Sequence, residues 1–226
     1  MHKFASIENW IFDLDNTLYP ASCRPFDQID QRMTSYLSDY LGVGREEAYT
    51  IQKAYFRDHG TTMNGMMLHH NMDPDPYLAY VHDIDHSAIP FSPALYKAMA
   101  ALPGRRLVFT NGSHKHAQNV LARLGVADLV DDVFDIRRAD YQPKPARATY
   151  EKMVAMMGID PKRSAMFEDI GRNLVVPHEM GMVTVLIKTL GEHGDACVLD
   201  LGSGDEPYID FVTTNLAAFL EKVTWR

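Results

Sequence analysis

The amino-acid sequence predicts an α/β fold, in which a parallel sheet is covered by helices and the chain is interrupted by an all-helical segment. Short apolar runs alternate with stretches of helical periodicity along most of the chain, which is typical of parallel strands joined by crossover helices. One long interval, residues 20–91, has apolar positions at helical spacing and no good strand. Polar clusters follow several of the apolar runs, at the edge where open α/β sheets bind ligands.

The individual elements follow from these patterns. The predicted strands are 10–13, 106–110, 133–136, 164–167, 183–187 and 209–213, each a short and mainly apolar run. The predicted helices between them are 115–124, 145–157, 173–180 and 216–223. Gly125, Gly158 and Gly181 follow three of these helices, where a C-terminal cap favours a positive φ. We therefore expect an α/β core of residues 1–19 and 92–226, with residues 20–91 inserted after the first strand as a helical cap.

Composition narrows the function classes. The 226 residues are 46% hydrophobic and 23% charged, which is ordinary for a globular protein of one large domain or one domain with an insertion. No apolar run approaches the ~20 residues that span a bilayer, so we expect no membrane partner. The net charge of -8 argues against a nucleic-acid polymer as partner, because such binders need a positive surface. A small phosphorylated ligand needs only a local positive site.

Two features bear on the compartment. The first eight residues lack a basic-then-apolar signal pattern, so we expect a cytoplasmic location. The only cysteines, Cys23 and Cys197, are too few for a disulfide framework, and we expect two reduced thiols.

Two carboxylates, Asp13 and Asp15, follow the first predicted strand. Because one residue separates them, they can aim at a common point as the chain turns. Their mutual repulsion favours a cation between them. An aspartate pair of this kind also fits a turn or a helix cap, so the pair alone leaves both interpretations open.

The second polar cluster, Thr110, Asn111 and Gly112, follows the second predicted strand. A hydroxyl, an amide and a glycine-containing turn can donate hydrogen bonds to phosphate oxygens. Asn-Gly is also a common turn, so this cluster alone is a weak signal.

Two further clusters follow later strands. Lys144 lies between two prolines, which hold it in extended backbone; a rigid loop with a solvated lysine fits this pattern as well. Glu168 and Asp169 follow the fourth strand and precede a helix, where an acidic residue can also serve as an N-cap.

Taken together and in this order, the four clusters resemble the haloacid dehalogenase-like superfamily, whose pattern is DxDxT, a strand-end Thr, a Lys and a closing acidic pair. The resemblance spans the whole chain, because the helical insert lies where that superfamily has its first cap module. It implies a three-layer, Rossmann-like core. Longer segments such as FDLDNTLYP, YFRDHGTTMNGMMLHH and FEDIGRNL resemble the pyrimidine 5′-nucleotidase branch of the superfamily.

The resemblance implies a catalytic set. Asp13 would attack phosphorus and form an aspartyl-phosphate, while Asp15 would act as general acid and then as general base. Lys144 would pair with Asp13 and with a phosphate oxygen. The other phosphate oxygens would be bound by Thr110, Asn111 and Gly112.

The resemblance also implies Mg²⁺ as cofactor. The ion would be held by Asp13, by the backbone carbonyl of Asp15 and by Asp169. Glu168 would be either a further ligand or a residue that holds the ligands in place. Asn173 lies four residues after Asp169, so a helix there would place both on one face; Asn173 would then orient the metal cage or be an ordinary exposed helix residue.

A small phosphorylated substrate follows from the same resemblance, in the first place a pyrimidine nucleoside 5′-monophosphate. The candidate contacts to its base or sugar are Tyr55, Thr61, Asn64 and His69. A sugar phosphate, phosphoglycolate or a broad set of esters is the alternative substrate. A catalytically idle binding module on the same fold is disfavoured because every motif position is filled. A dehalogenase is disfavoured by the acid/base aspartate and the closing acidic pair.

Several histidines lie outside these motifs. His82 and His86 are spaced i,i+4 in the predicted cap, where we expect solvated helix-end histidines rather than a transition-metal site. His114 and His116 begin the helix after the second strand, where we expect a solvated first turn.

Overall fold

A computed structural model describes residues 2–188 and 203–224 of the chain. It contains one sheet of six strands in the order β3-β2-β1-β4-β5-β6, and every neighbouring pair is parallel. The strands are β1 (Asn9–Phe12), β2 (Arg105–Phe109), β3 (Asp132–Phe134), β4 (Ser164–Glu168), β5 (Val183–Ile187) and β6 (Phe211–Thr213). The predicted Rossmann-like α/β fold class is confirmed.

The α-helices of the described residues surround this sheet. They are α1 (Pro25–Leu41), α2 (Arg45–His59), α3 (Thr62–His70), α4 (Pro74–Val81), α5 (Pro93–Ala100), α6 (His114–Leu124), α7 (Arg147–Met157), α8 (Val175–Glu179) and α9 (Leu216–Thr224). Helix α5 is absent from the sequence-based prediction, and α8 is shorter than predicted because a 3₁₀ turn occupies Gly171–Leu174.

Alternate residues of the central strands pack into two apolar layers. Trp10, Phe12 and Phe167 belong to one layer, which also contains residues of α5, α6 and α9. Ile11 and Met166 belong to the other, together with residues of α7 and of helices α1–α4. Every residue of β1, β4 and β5 is buried, which explains why these strands are near-continuous apolar runs rather than alternating patterns.

In chain order, helices α1–α4 come after β1 and before β2. Residues 20–91 are all described by the structure and contain no strand. Helix α1 packs against α2 and α4, and α2 packs against α3. The last of these contacts needs a glycine at position 65, since a Cβ there would lie 2.3 Å from Cγ of Tyr55. The division into a core of 1–19 and 92–226 and a separate cap stays a prediction.

Two expectations, on membrane contact and on the thiols, can be compared with the structure. Within the described ranges, no helix has the length and apolar character required to cross a membrane. Cys23 has a free thiol, whereas Cys197 lies outside the described residues.

Candidate active site

The carboxyl ends of the strands bring the predicted clusters together at one edge of the sheet. Strand β1 lies between β2 and β4, so residues that follow these three strands become neighbours. Asp13, Thr110, Lys144 and Glu168 all line a cavity of about 410 Å³. The parallel topology therefore assembles residues that are up to 155 positions apart, between Asp13 and Glu168.

Lys144 is the centre of the charged part of this cavity. Its Nζ donates hydrogen bonds to Oδ1 of Asp13 at 2.6 Å, to Oε1 of Glu168 at 2.8 Å and to the carbonyl oxygen of Phe109 at 3.0 Å. Only 1% of the residue is exposed. Burial lowers the pKa of Lys144, but the two carboxylates more than offset this and raise the pKa above its ordinary value. The lysine is therefore a fixed cation and not the solvated side chain of a rigid loop.

Three carboxylates crowd around this single ammonium group. One ligand oxygen from each of Asp13, Glu168 and Asp169 lies within 4.8 Å of the others, and all three residues are buried. Burial, with the charge of Glu168, raises the pKa of Asp13 to about 7 against the pull of Lys144. Burial and the same neighbouring carboxylates raise the pKa of Asp169 well above its ordinary value. Fully ionised, the three carboxylates would therefore carry more negative charge than Lys144 neutralises.

Both oxygens of Glu168 are engaged by the protein. Oε1 accepts from Lys144 and, at 2.6 Å, from Nδ2 of Asn173, and Oε2 accepts from the backbone N–H of Ile170 at 2.8 Å. Burial raises the pKa of Glu168, but Lys144 and this N–H lower it below its ordinary value. The arrangement favours Glu168 as the residue that holds Lys144. Asn173 is buried, so the alternative of an exposed helix asparagine is wrong.

The second polar cluster connects β2 to the lysine loop. Oδ1 of Asn111 accepts from the backbone N–H of Lys144 at 2.9 Å, and Oγ1 of Thr110 accepts from the N–H of Gly112 at 2.9 Å. All three residues of the cluster line the cavity. Asn111 therefore fixes the lysine loop, in addition to the phosphate contact that its sequence position predicts.

Asp15 points to a different set of partners. Its Oδ1 accepts from the hydroxyl of Tyr19 at 2.5 Å and from Nε2 of His116 at 2.8 Å. Burial raises the pKa of Asp15, but His116 and Tyr19 lower it to about 2. Two aspartates separated by a single residue thus have opposite electrostatic environments.

The expected solvated position of His116 is wrong, since the residue is fully buried. His116 belongs to the inward face of α6, one turn before Val120 and two turns before Leu124. This i,i+4 spacing is the sequence signal that could have revealed it. His114, two residues earlier, is exposed as expected.

Two histidines from the segment after α4 pack around His116. Nε2 of His86 lies 3.2 Å from Nδ1 of His116, and the His82 ring stacks on the His116 ring with centroids 4.6 Å apart. Nδ1 of His82 also lies 3.0 Å from Oγ of Ser113. Burial, with His116, lowers the pKa of His82 to about 3. The expectation of solvated helix-end histidines is therefore wrong for His82.

With this geometry described, the chain can be compared with known proteins. Residues 7–175 match the family of haloacid dehalogenase-like hydrolases. The chain belongs to this family. The matched span runs from just before β1 to the start of α8, and it contains every residue of the charged cluster.

Individual relatives of this haloacid dehalogenase-like hydrolase are distant. Phosphate metabolism protein 8 of Saccharomyces cerevisiae is 26% identical over 196 residues, which cover 78% of this chain and 60% of the yeast protein. A HAD phosphatase from Thermococcus onnurineus is 16% identical with a TM-score of 0.62, covering 96% of this chain and 97% of its own. L-2-haloacid dehalogenase from Xanthobacter autotrophicus is 16% identical with a TM-score of 0.61, covering 96% and 98%. The two structures share the fold.

The predicted substrate contacts of this family member divide between two places. Thr61 lines the cavity, whereas Tyr55, Asn64 and His69 are not among its lining residues. The Tyr55 and His69 rings stack on each other at 5.3 Å, Nε2 of His69 lies 2.9 Å from Nε2 of His59, and Nδ2 of Asn64 donates to the His59 carbonyl at 2.9 Å. These three residues therefore hold α2 and α3 together.

The cavity extends between α1, α2 and α4, along residues that the sequence did not single out. Its walls include the rings of Phe26, Tyr49 and Phe56. They also include a polar group in which Asp30 Oδ1 accepts from Gln52 and from Lys53, each at 2.7 Å. No separate sequence signal marks these positions, because each occupies an ordinary place in an amphipathic helix.

One wall residue has an unusual hydrogen-bonding state. The hydroxyl of Tyr77 is buried and has no hydrogen-bond partner among the described residues, although the side chain lines the cavity. A buried hydroxyl without a partner is unfavourable, so this group is a local cost to the stability of the fold.

Proposed function

We propose that this chain is a Mg²⁺-dependent phosphatase that hydrolyses phosphate monoesters through an aspartyl-phosphate at Asp13. The observation that carries the proposal is the buried cluster of three carboxylates around one ammonium group. Fully ionised, the cluster has two negative charges in excess, which a single divalent cation would neutralise. The chemistry of the donor set is that of Mg²⁺, because all the free ligands are oxygens.

Asp13 and Asp169 are the side chains that would hold the ion, together with the backbone carbonyl of Asp15. Glu168 would stay behind them, because its oxygens are occupied by Lys144, Asn173 and a backbone N–H. When bound, the ion neutralises charge on the phosphate and on the attacking carboxylate.

The side chains of this cavity have separate tasks in the proposed reaction. A carboxylate oxygen of Asp13 forms a bond to phosphorus while the bond from phosphorus to the ester oxygen breaks. Asp15 gives a proton to the departing oxygen and later takes one from the water that hydrolyses the aspartyl-phosphate. Lys144 holds Asp13 in position through its 2.6 Å hydrogen bond, and Thr110 lines the same end of the cavity.

A pyrimidine nucleoside 5′-monophosphate is the substrate that we propose. A cavity of about 410 Å³ lies within the usual size range of small-molecule sites. The rings of Phe26, Tyr49 and Phe56 in its walls offer stacking surfaces for a planar base. Asp30 and Lys53 offer an acceptor and a donor for the edge of a base.

Two further observations bear on the metabolic role and the location of this enzyme. The name of the yeast relative places that protein in phosphate metabolism. We also propose a cytoplasmic location, in keeping with the free thiol of Cys23.

Phosphate release from a panel of esters tests this function. The panel contains UMP, CMP, AMP, GMP, a sugar phosphate and phosphoglycolate, each measured with Mg²⁺ and with EDTA. We expect turnover of UMP and CMP that EDTA abolishes and that Asp13→Asn lacks. Equal turnover of purine and sugar esters would replace the substrate proposal by a broad-specificity phosphatase. No Mg²⁺-dependent turnover of any ester would overturn the function and favour a binding module, and halide release from 2-chloropropionate would instead identify a dehalogenase.

A further inference from the structure

Asp15 is held through only one of its two carboxylate oxygens. Tyr19 and His116 both bond to Oδ1, at 2.5 Å and 2.8 Å. Among the residues that the structure describes, none donates a hydrogen bond to Oδ2. The side chain is 18% exposed and lines the cavity, so the unbonded oxygen is the one that remains available to a bound molecule.

The donor and acceptor roles in this group can be assigned from chemistry. A phenol and an imidazole N–H that meet one carboxylate oxygen must both donate to it, so this oxygen acts only as an acceptor. His116 therefore carries a hydrogen on Nε2. The other ring nitrogen of His116, Nδ1, lies 3.2 Å from Nε2 of His86, so both nitrogens of the His116 ring have a hydrogen-bonding partner.

The packing around His116 allows its ring little freedom. The residue is fully buried in α6, and its ring lies at 12° to the stacked ring of His82. His82 and His86 come from the segment that follows α4, whereas Asp15 follows β1. Three separate parts of the chain thus fix the direction of a single N–H group, and that group points at the carboxylate assigned to proton transfer.

We propose that His116 is a positioning residue for Asp15: together with Tyr19 it clamps Oδ1, so that Oδ2 carries the proton exchanged with the leaving group and with water. This inference rests on the proposed phosphatase function. Without the clamp, the carboxylate would rotate about its side-chain bonds and present either oxygen, or neither, to the ester oxygen. The loss should therefore appear in proton transfer and not in the binding of phosphate.

Two phosphate esters whose leaving groups differ in their need for a proton can separate proton transfer from the other contributions to the rate. The 4-nitrophenolate ion departs without being protonated, whereas an alkoxide such as the 5′ oxygen of a nucleoside requires a general acid. Because kcat/KM reports the steps up to the first irreversible one, it isolates the protonation of the leaving group from the later hydrolysis of the aspartyl-phosphate.

Two substitutions of His116 provide the test, in the full chain with Mg²⁺. His116→Met introduces an apolar side chain of similar length and removes the donor. His116→Gln keeps an N–H near the position of Nε2. We expect His116→Met to lower kcat/KM about 10- to 100-fold for the alkyl ester that the wild-type protein hydrolyses fastest. For 4-nitrophenyl phosphate we expect a loss within about 3-fold, and His116→Gln should recover most of the activity toward the alkyl ester.

Controls separate this role from a purely structural one. His114→Gln changes an exposed histidine on the same helix and should leave both rates unchanged. If His116→Met does not fold, Tyr19→Phe removes the other donor to Oδ1 and should give the same dependence on the leaving group. Equal losses for both esters, or a glutamine variant as impaired as the methionine variant, would overturn the clamp alone. A wild-type protein that hydrolyses neither ester would overturn the phosphatase function as well.

Discussion

Replacing Asp13 by asparagine is expected to have two effects of opposite sign. Phosphatase activity should fall by at least about 1,000-fold, because the amide cannot serve as the nucleophile. In the metal-free protein at pH 8, the free energy of unfolding should instead rise. The reason is the surplus of negative charge: an ionised Asp13 shares a buried site with Glu168 and Asp169, and asparagine removes one of these charges.

The size of the second effect follows from the pKa of Asp13. Burial and Glu168 raise this pKa from 3.8 to about 7, so the folded state holds the proton more tightly than the unfolded state does. The wild-type protein therefore loses stability as the pH rises from about 4 to about 7. At ~1.4 kcal/mol per pH unit, the difference at pH 8 is on the order of 4 kcal/mol in favour of the asparagine variant. Near pH 4 this advantage should vanish.

Urea unfolding of both proteins at pH 5 and pH 8 in EDTA measures this difference. Addition of Mg²⁺ at pH 8 should stabilise the wild-type protein more than the variant, because a ligand stabilises the state that binds it. Asp135→Asn is a matched control: this aspartate is also buried, but its oxygens accept from the backbone N–H groups of His114 and Arg138. The Asp135→Asn variant should lose about 1–3 kcal/mol of unfolding free energy at both pH values, and its phosphatase activity should stay the same. An Asp13→Asn protein that is less stable than wild type at pH 8 in EDTA would refute the charge argument.

Three further predictions concern stability. Burial lowers the pKa of His82 to about 3, so the unfolded state takes up a proton at this histidine that the folded state does not. Acidification from pH 7 to pH 5 should therefore lower the unfolding free energy by at most about 2 kcal/mol through His82. In urea unfolding, the His82→Asn variant should lose that much less unfolding free energy over the same pH change. Tyr77→Phe removes a buried hydroxyl without a partner among the described residues, so its unfolding free energy should stay equal or rise by about 1 kcal/mol. Gly65→Ala should lower the unfolding free energy by about 1–3 kcal/mol, because its Cβ would lie 2.3 Å from Tyr55; Gly44→Ala, with nothing within 4 Å, is the control.

The middle of the sheet was predictable because β1, β4 and β5 are buried along their whole length. Each central strand is a short apolar run bounded by polar residues, and this pattern identifies β1, β4 and β5 within one residue. Helix α5 was missed although Ser92 caps its N-terminus and Pro93 occupies its first turn. The helix has only eight residues and directly follows the irregular end of the insert, so its apolar stripe is too short to stand out as a separate helical pattern.

The charged cluster was predictable for a topological reason. Asp13 and Glu168 lie at the carboxyl ends of the adjacent parallel strands β1 and β4, so their meeting could be expected without knowing any side-chain contact. Lys144 follows β3, which is not a neighbour of β1, and it reaches the cluster through the loop before α7. His116 could not be assigned in the same way. Its partner Asp15 is 101 residues away, and nothing at the N-terminus of α6 distinguishes an inward-facing histidine that binds a carboxylate from one that packs in the core.

The part of the cavity between the helices α1, α2 and α4 was even harder to predict from the sequence. The cavity walls formed by α1, α2 and α4 depend on how these helices cross, and helical periodicity indicates only that each helix has an inner face. Tyr55 and His69 are two of the candidate contacts to the base or sugar. They stack on each other between α2 and α3 instead, and the cavity is lined by Phe56, the residue next to Tyr55.

The opposite environments of Asp13 and Asp15 explain why the proposed reaction needs both ligands. In the free protein the pKa of Asp13 is about 7 and that of Asp15 about 2, so the nucleophile is partly protonated and the acid is ionised, the reverse of what the first step requires. A divalent cation held beside Asp13 would lower the pKa of that carboxylate, and a phosphate dianion close to Asp15 would raise the pKa of Asp15. Each ligand would therefore move one aspartate toward its role, and the reactive pair, an ionised Asp13 with a protonated Asp15, is favoured most when both ligands are bound.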